Sequence, residues 1–185
     1  MGAVSSLPRL DPFSAADSGG VDLALNAFLE SHKGLPVEAM QWCLDHWDVA
    51  GPELVRYFDL TTQGDLDDDE DIWALLIIFH LFGEKCERSA FGPICRLLLN
   101  KERTELAIDW AVTMTLRRVL ISTFDGDLSQ LTQVIEAPGA DEFARSAALK
   151  ALTYLFATGR LPGFDMRRYL YRLLTESDPE DGCYL

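Results

Sequence analysis

The sequence predicts an all-α protein: a right-handed superhelix, or α-solenoid, of stacked helical pairs. It holds about nine helices and no strand, well above the helical share of an ordinary domain. Three observations carry this. From Pro52 to Leu174 one unit recurs: a short amphipathic helix, a turn, a longer helix and a turn. Phe91 to Leu99, Gly126 to Ile135 and Gly163 to Leu174 occupy equivalent places, spaced by roughly 36 to 39 residues, a period that fits helical-pair repeats. Between Gly and Pro breaks, apolar residues return at three- and four-residue steps, as one face of a helix requires. A helical pair cannot bury its apolar face alone, so it stacks on its neighbours.

The elements follow in order. Residues 1–20 are rich in Ser, Ala, Gly and Pro, lack periodicity and are expected to be disordered. Val21 to Ser31 is a first helix, stopped by Gly34. Pro36 opens a second helix, whose buried stripe is Val37, Met40, Cys43, Leu44 and Trp47. Gly51-Pro52 breaks and restarts the chain, and Leu54, Val55 and Phe58 form the next stripe. The run Asp65 to Asp71 precedes the apolar helix Ile72 to Phe82, where carboxylates favour the helix N-terminus. Gly83 ends that helix.

Ser89 to Asn100 is short and contains Gly92-Pro93. Thr104 caps a helix running to about Thr123, with Leu106, Trp110, Thr113, Leu116 or Arg117, and Leu120 at helical spacing on one side. Asp125-Gly126-Asp127 is a turn. Leu128 to Ile135 is the partner helix, stopped by Pro138-Gly139. Asp141 begins the longest clean helix, to Thr158, whose Ala144, Ala147, Ala148 and Ala151 allow close helix approach. Phe164 to Thr175 is the last helix. These elements make one helical-repeat domain over residues 21–176, with a frayed tail at 177–185.

Thirty acidic against 16 basic residues give a formal charge of −14. That balance disfavours a nucleic-acid backbone, which needs clustered Lys and Arg, and favours a basic partner. It also keeps a protein soluble by itself. The four cysteines are irregularly spaced, with no C-x-x-C pair. They are read as reduced thiols rather than a disulfide framework. The longest apolar run, Ile72 to Phe79, is too short to span a bilayer. With no secretory signal visible, a cytoplasmic protein without membrane association is expected. Met1-Gly2-Ala3-Val4-Ser5-Ser6 fits the degenerate myristoylation pattern at only two informative positions, and a small-residue start is the preferred account of it.

The segment Leu120-Ile-Ser-Thr-Phe-Asp-Gly-Asp-Leu-Ser-Gln-Leu131, the run Ala140-Asp-Glu-Phe-Ala-Arg-Ser-Ala-Ala-Leu149 and the Gly159-Arg-Leu turn resemble a bacterial family of unknown function, DUF1186. Gly51-Pro-Glu-Leu-Val55 is similar to that family's upstream helix entry. The resemblance covers residues 35 to 175 and implies a HEAT-like helical stack with no established activity. The family usually has Gly-Asp and Thr-Glu where this chain has Asp109-Trp110 and Thr113-Met114. Some relatives carry a Cys/His SEC-C tail. The segment Cys183-Tyr184-Leu185 lacks that motif, so no zinc is carried over.

Candidate sites stay modest. Counted from Asp65, a calcium loop needs Gly at the sixth position and Glu at the twelfth. Glu70 and Leu76 stand there, so the acidic run is a helix cap or a docking strip for a basic partner. Cys43 and His46 lie one turn apart, but two ligands do not make a zinc site, and no third group orients them as nucleophile and base. His80 sits in an apolar helix, as a hydrogen-bonded core residue would. Trp42 and Trp47 point in different directions, so one of them is a candidate exposed anchor. No motif of nucleotide, hydrolase or zinc-protease chemistry occurs.

The expectation is therefore a non-catalytic module with no cofactor and no metal. It binds an unidentified protein or peptide through Asp67, Asp68, Asp69, Glu70, Trp42, Asp125 and Asp127. The rivals are a small enzyme or metal protein with a carboxylate/His site between helices, and an acidic nucleic-acid mimic.

Overall fold

The computed structural model describes residues 18–64 and 69–176. Among them are eleven α-helices and no strand. The first four are α1 (Ser18–Leu29), α2 (Val37–Asp45), α3 (Trp47–Gln63) and α4 (Asp69–Lys85). Next come α5 (Phe91–Leu98), α6 (Lys101–Ile108), α7 (Ala111–Met114) and α8 (Leu116–Thr123). The last three are α9 (Leu128–Glu136), α10 (Glu142–Ala157) and α11 (Met166–Glu176). Of the expected disordered start, 1–20, residues 1–17 lie outside the described residues, as does the expected frayed tail, 177–185, while Ser18, Gly19 and Gly20 belong to α1 instead. None of the described helices is long and apolar enough to cross a membrane.

Two rows of helices carry the packing. In one, α1, α4, α8 and α10 each touch the next; in the other, α3 touches α5 and α5 touches α9. Rungs join the rows where α3 packs on α4, α5 on α8 and α9 on α10. The core between the rows holds Phe28, Phe58, Phe79, Phe82 and Phe91, all fully buried. Each such ring stabilises the fold by about 1.5–3 kcal/mol relative to exposure. Phe58 meets Phe82 edge-on at 5.4 Å, and Phe91 meets Phe124 at 5.3 Å, the geometry that ring quadrupoles favour.

Polar stitches join one pair to the next, 36 to 41 residues along the chain. Three cations cap carbonyl oxygens of earlier helices. Lys85 Nζ donates to Leu44 O at 3.2 Å, Arg103 to Thr62 O and Gly64 O at 2.7 Å each, and Arg160 to Ile121 O at 2.8 Å. Most of these oxygens belong to the last turn or end of a helix, where the orphan carbonyls and the negative pole of the dipole attract a cation. Ion pairs add Arg96 to Asp59 at 2.7 Å and Arg172 to Glu136 at 2.6 Å. Trp47 Nε1 donates to Glu87 Oε2 at 2.8 Å. Burial opposes the charge on Glu87, but the hydrogen bonds from Ser89 and Trp47 prevail and hold its carboxyl below the usual range.

Several boundaries differ from the sequence expectation. Gly51-Pro52 does not break the chain. The bend comes earlier, at His46 (φ −117°, ψ 41°), and α3 carries Pro52 inside it. Gly51 is needed there because a Cβ would stand 2.8 Å from the Trp47 indole nitrogen. Starting a new helix at Trp47 also shifts the stripe of α2 to Ala39, Trp42 and Cys43, leaving Val37 exposed. Gly83 does not end α4, which runs to Lys85 and stops at Cys86 with φ 52°. A Cβ on Gly83 would lie 3.0 Å from Val119 Cγ2, so its absence lets α8 approach. The helix from Asp141 is shorter, at 16 residues, than the 17-residue α3 and α4.

The largest difference lies between Thr104 and Thr123. The expected single helix is three, interrupted at Asp109 (φ 21°, ψ −111°) and at Thr115 (φ −125°). This accounts for eleven helices in place of about nine. Thr104 is not the cap. Asn100 caps α6, its side chain accepting from Arg103 N, while the Thr104 hydroxyl donates to Leu97 O and Asn100 O. Within the break, the Thr113 and Thr115 hydroxyls bond the carbonyls of Trp110 and Ala111. Such local bonds compete with the helical ladder. Leu106 and Trp110 therefore leave the buried side, and Leu116 and Leu120 alone remain from the expected stripe.

Candidate functional site

The residues singled out by sequence do not gather into one place. Asp67 and Asp68 lie outside the described residues, and Asp69 and Glu70 open α4. Asp125 and Asp127 form the turn before α9, and both are spent on the backbone. Asp125 Oδ1 accepts from Asp127 N at 2.7 Å. Asp127 Oδ1 accepts from Ser129 N at 2.9 Å and from the Ser129 hydroxyl, and its Oδ2 accepts from Gln130 Nε2 at 2.9 Å. Those bonds hold the Asp127 carboxyl below its ordinary range. This is an N-cap, which satisfies donors that would otherwise be orphaned.

Trp42 is not an exposed anchor. It is buried, with His46 stacked on it at 4.7 Å. Trp47 is half-buried under Lys85, whose Nζ lies 5.8 Å from the ring centroid. Position in the sequence could not separate these from the tryptophans that are exposed, Trp73 and Trp110.

Cys43, His46 and His80 face separate seams. Cys43 is fully buried, and burial pushes its thiol up to about 12, so it stays protonated at neutral pH. His46 Nδ1 lies 3.0 Å from Trp42 O. His80 is held on both sides, Nδ1 at 2.7 Å from Leu76 O and Nε2 at 3.0 Å from Thr115 Oγ1. Among the described residues no three His, Cys, Asp or Glu side chains converge as metal ligands.

A different surface emerges from the break at Asp109. Trp73 and His80 are seven residues apart on one face of α4, and the His80 ring stacks on Trp110 at 6.1 Å. From there α7 and α10 enclose a cleft of about 250 Å³. Its apolar walls are Val112, Met114, Phe143 and Ala147. Its polar lining is Thr113, Ser146, Arg117 and Lys150. Large apolar side chains stand in solvent along this strip: Trp73 at 46%, Trp110 at 53%, Phe143 at 57% and Met114 at 68% exposure. The volume falls below the ~300–1,000 Å³ of sites that enclose a drug-sized ligand. It suits an inserted side chain better than a cofactor.

The family model for DUF1186, described as a protein of unknown function, matches residues 23–182. The chain belongs to the DUF1186 family. No curated protein and no solved structure matches it. The signal that could have located the strip was the cluster of Thr and β-branched residues from Val112 to Thr115, poor helix formers in the middle of a predicted helix.

Proposed function

We propose that this DUF1186 protein is a non-catalytic interaction module. It docks a protein or peptide partner on the strip formed by α4, α7 and α10, the surface of a right-handed, HEAT-like stack. One observation carries the reading: four large apolar side chains, Trp73, Trp110, Met114 and Phe143, are 46–68% exposed, with Trp110 stacked on His80 from the face of α4 that also carries Trp73, and Met114 and Phe143 lining one cleft. Single exposed apolar residues are ordinary, whereas a contiguous exposed patch marks an interaction surface. Tryptophan in particular dominates binding hot spots. The two-row packing supplies the rigid platform such a surface needs, because each helix is held by its neighbour. A cytoplasmic setting belongs to the same proposal: Cys43, Cys86 and Cys95 are all free thiols, which suits a reducing compartment.

The test is quantitative capture from the native host by wild type and by a Trp110→Ala/Phe143→Ser variant. Both positions are exposed, so the variant is expected to keep its circular dichroism and lose no more than about 0.5 kcal/mol of stability per site. A specific captured protein that drops at least tenfold with the variant supports the proposal. Equal capture by both proteins, with the fold intact, overturns it.

A further inference from the structure

The cleft between α7 and α10 also has a sign. Its lining includes two cations, Arg117 on α8 and Lys150 on α10, and no carboxylate. Neither cation makes an ion pair among the described residues, whereas Arg56, Arg96, Lys101 and Arg172 all do. On the helices around it, Glu105 of α6 and Glu142 of α10 pair with Lys101 at 3.8 and 3.0 Å, and Asp109, two residues before α7, does not line the cleft. In a chain of net charge −14, two unengaged cations beside exposed Phe143 and Met114 form a local exception.

From this we infer that the cleft takes a short acidic–apolar segment of a partner protein, in which an Asp or Glu pairs with Arg117 and Lys150 while a neighbouring large apolar side chain inserts against Phe143, Met114 and Ala147. The inference rests on the docking role proposed above and gives that role a chemistry. It runs against the preference for basic partners read from the net charge. Distance decides between the two. At physiological ionic strength exposed charges are screened beyond about 8 Å, so groups lining the cleft outweigh carboxylates scattered over the remote surface. Arginine presents a planar fork that matches a carboxylate bidentately, and lysine adds a mobile second donor. Thr113 and Ser146 supply hydroxyls at the same wall. An anionic membrane would also offer negative charge and apolar matter, but a concave cleft of about 250 Å³ fits a side chain rather than a flat surface.

The experiment is selection of a displayed library of random short peptides on the intact chain, repeated on Arg117→Glu/Lys150→Glu and on Phe143→Ser. Circular dichroism and the thermal midpoint confirm that each variant is folded. Enriched sequences are expected to carry Asp or Glu beside a Leu, Phe or Trp. Synthetic peptides from that set should bind the charge-reversed protein about 10- to 100-fold more weakly, and selection on that variant should turn to Lys- or Arg-containing sequences. Enriched peptides that lack acids, yet are lost on Phe143→Ser, would overturn the acidic chemistry and leave the docking strip standing. No enrichment, or enrichment indifferent to Phe143→Ser, would overturn both. Binding to phosphatidylserine vesicles that is abolished by the charge reversal, with no acidic peptide enriched, would overturn the peptide in favour of a lipid surface.

Discussion

The turn at Asp125–Asp127 and the break at Asp109 are both interruptions between helices that carry an aspartate, and they do opposite things. At the first, both aspartates accept from the chain's own donors, Asp125 through Oδ1 and Asp127 through both oxygens, and the ring beneath it, Phe124, is buried against Phe91. At the second, the backbone takes φ 21° at a residue with a Cβ, and Trp110 and Met114, which follow it, are turned outward. A turn rich in capping residues closes a surface. A helix that fails midway opens one. The acidic signal was conspicuous in sequence because caps need acids; the docking strip was inconspicuous because it arises from an irregularity.

The sharpest way to break this contrast is to truncate Phe91, the ring on which Phe124 packs beneath the turn. Phe91→Ala removes a fully buried ring and should cost about 3–5 kcal/mol, read as a shift of the urea midpoint at unchanged slope. A loss as small as that expected for Trp110→Ala would mean the two regions do not differ in kind.

A smaller effect is expected at the cap itself. Asp127→Ala should destabilise by about 1 kcal/mol, the usual worth of an N-cap. The pH dependence follows from direction. The folded-state carboxyls of Asp127 and Glu87 lie below their ordinary values. Their contribution is therefore complete above the unfolded carboxylate range and is lost as pH falls through the folded one. Denaturation midpoints of wild type and Asp127→Ala should converge as pH drops below about 4. Parallel curves would show that the carboxylate charge is not what stabilises the turn.

The smallest change concerns the break and has the opposite sign. Asp109→Gly removes the Cβ from a sparsely populated conformation that costs of order 1–3 kcal/mol, against about 0.5–1 kcal/mol of added chain entropy. With the strain at the low end of its range the two nearly cancel, leaving a net gain below about 1 kcal/mol, visible as a small rise in thermal midpoint. A fall in stability would show that the Asp109 side chain itself supports the break.

Much of the fold was legible. Periodicity and Gly/Pro punctuation placed Asp141 as the start of α10, where its side chain accepts from Phe143 N and Ala144 N. The same signals placed Leu128 to Ile135 within α9. The failures share a cause. Three- and four-residue spacing assumes an uninterrupted helix, so breaks at His46 and Asp109 put residues on their two sides out of one common stripe. Val37, Leu106 and Trp110 went from expected core to solvent, and Trp42 went from candidate anchor to core. The site was less legible than the fold, because exposure depends on those breaks, while capping acids and binding acids look alike in a one-dimensional string.

The carbonyl-capping cations have a mechanical corollary. Each ties its helix to a segment 39 to 41 residues earlier, so these bonds couple neighbouring helices in addition to the one buried core they share. At the α11 end, Arg172 reaches back to Glu136, and Tyr171 and Leu174 face solvent. Thermal opening should accordingly start from that terminal rung and travel inward, loosening α9 before it disturbs α4, with the docking strip lying near the middle of that gradient.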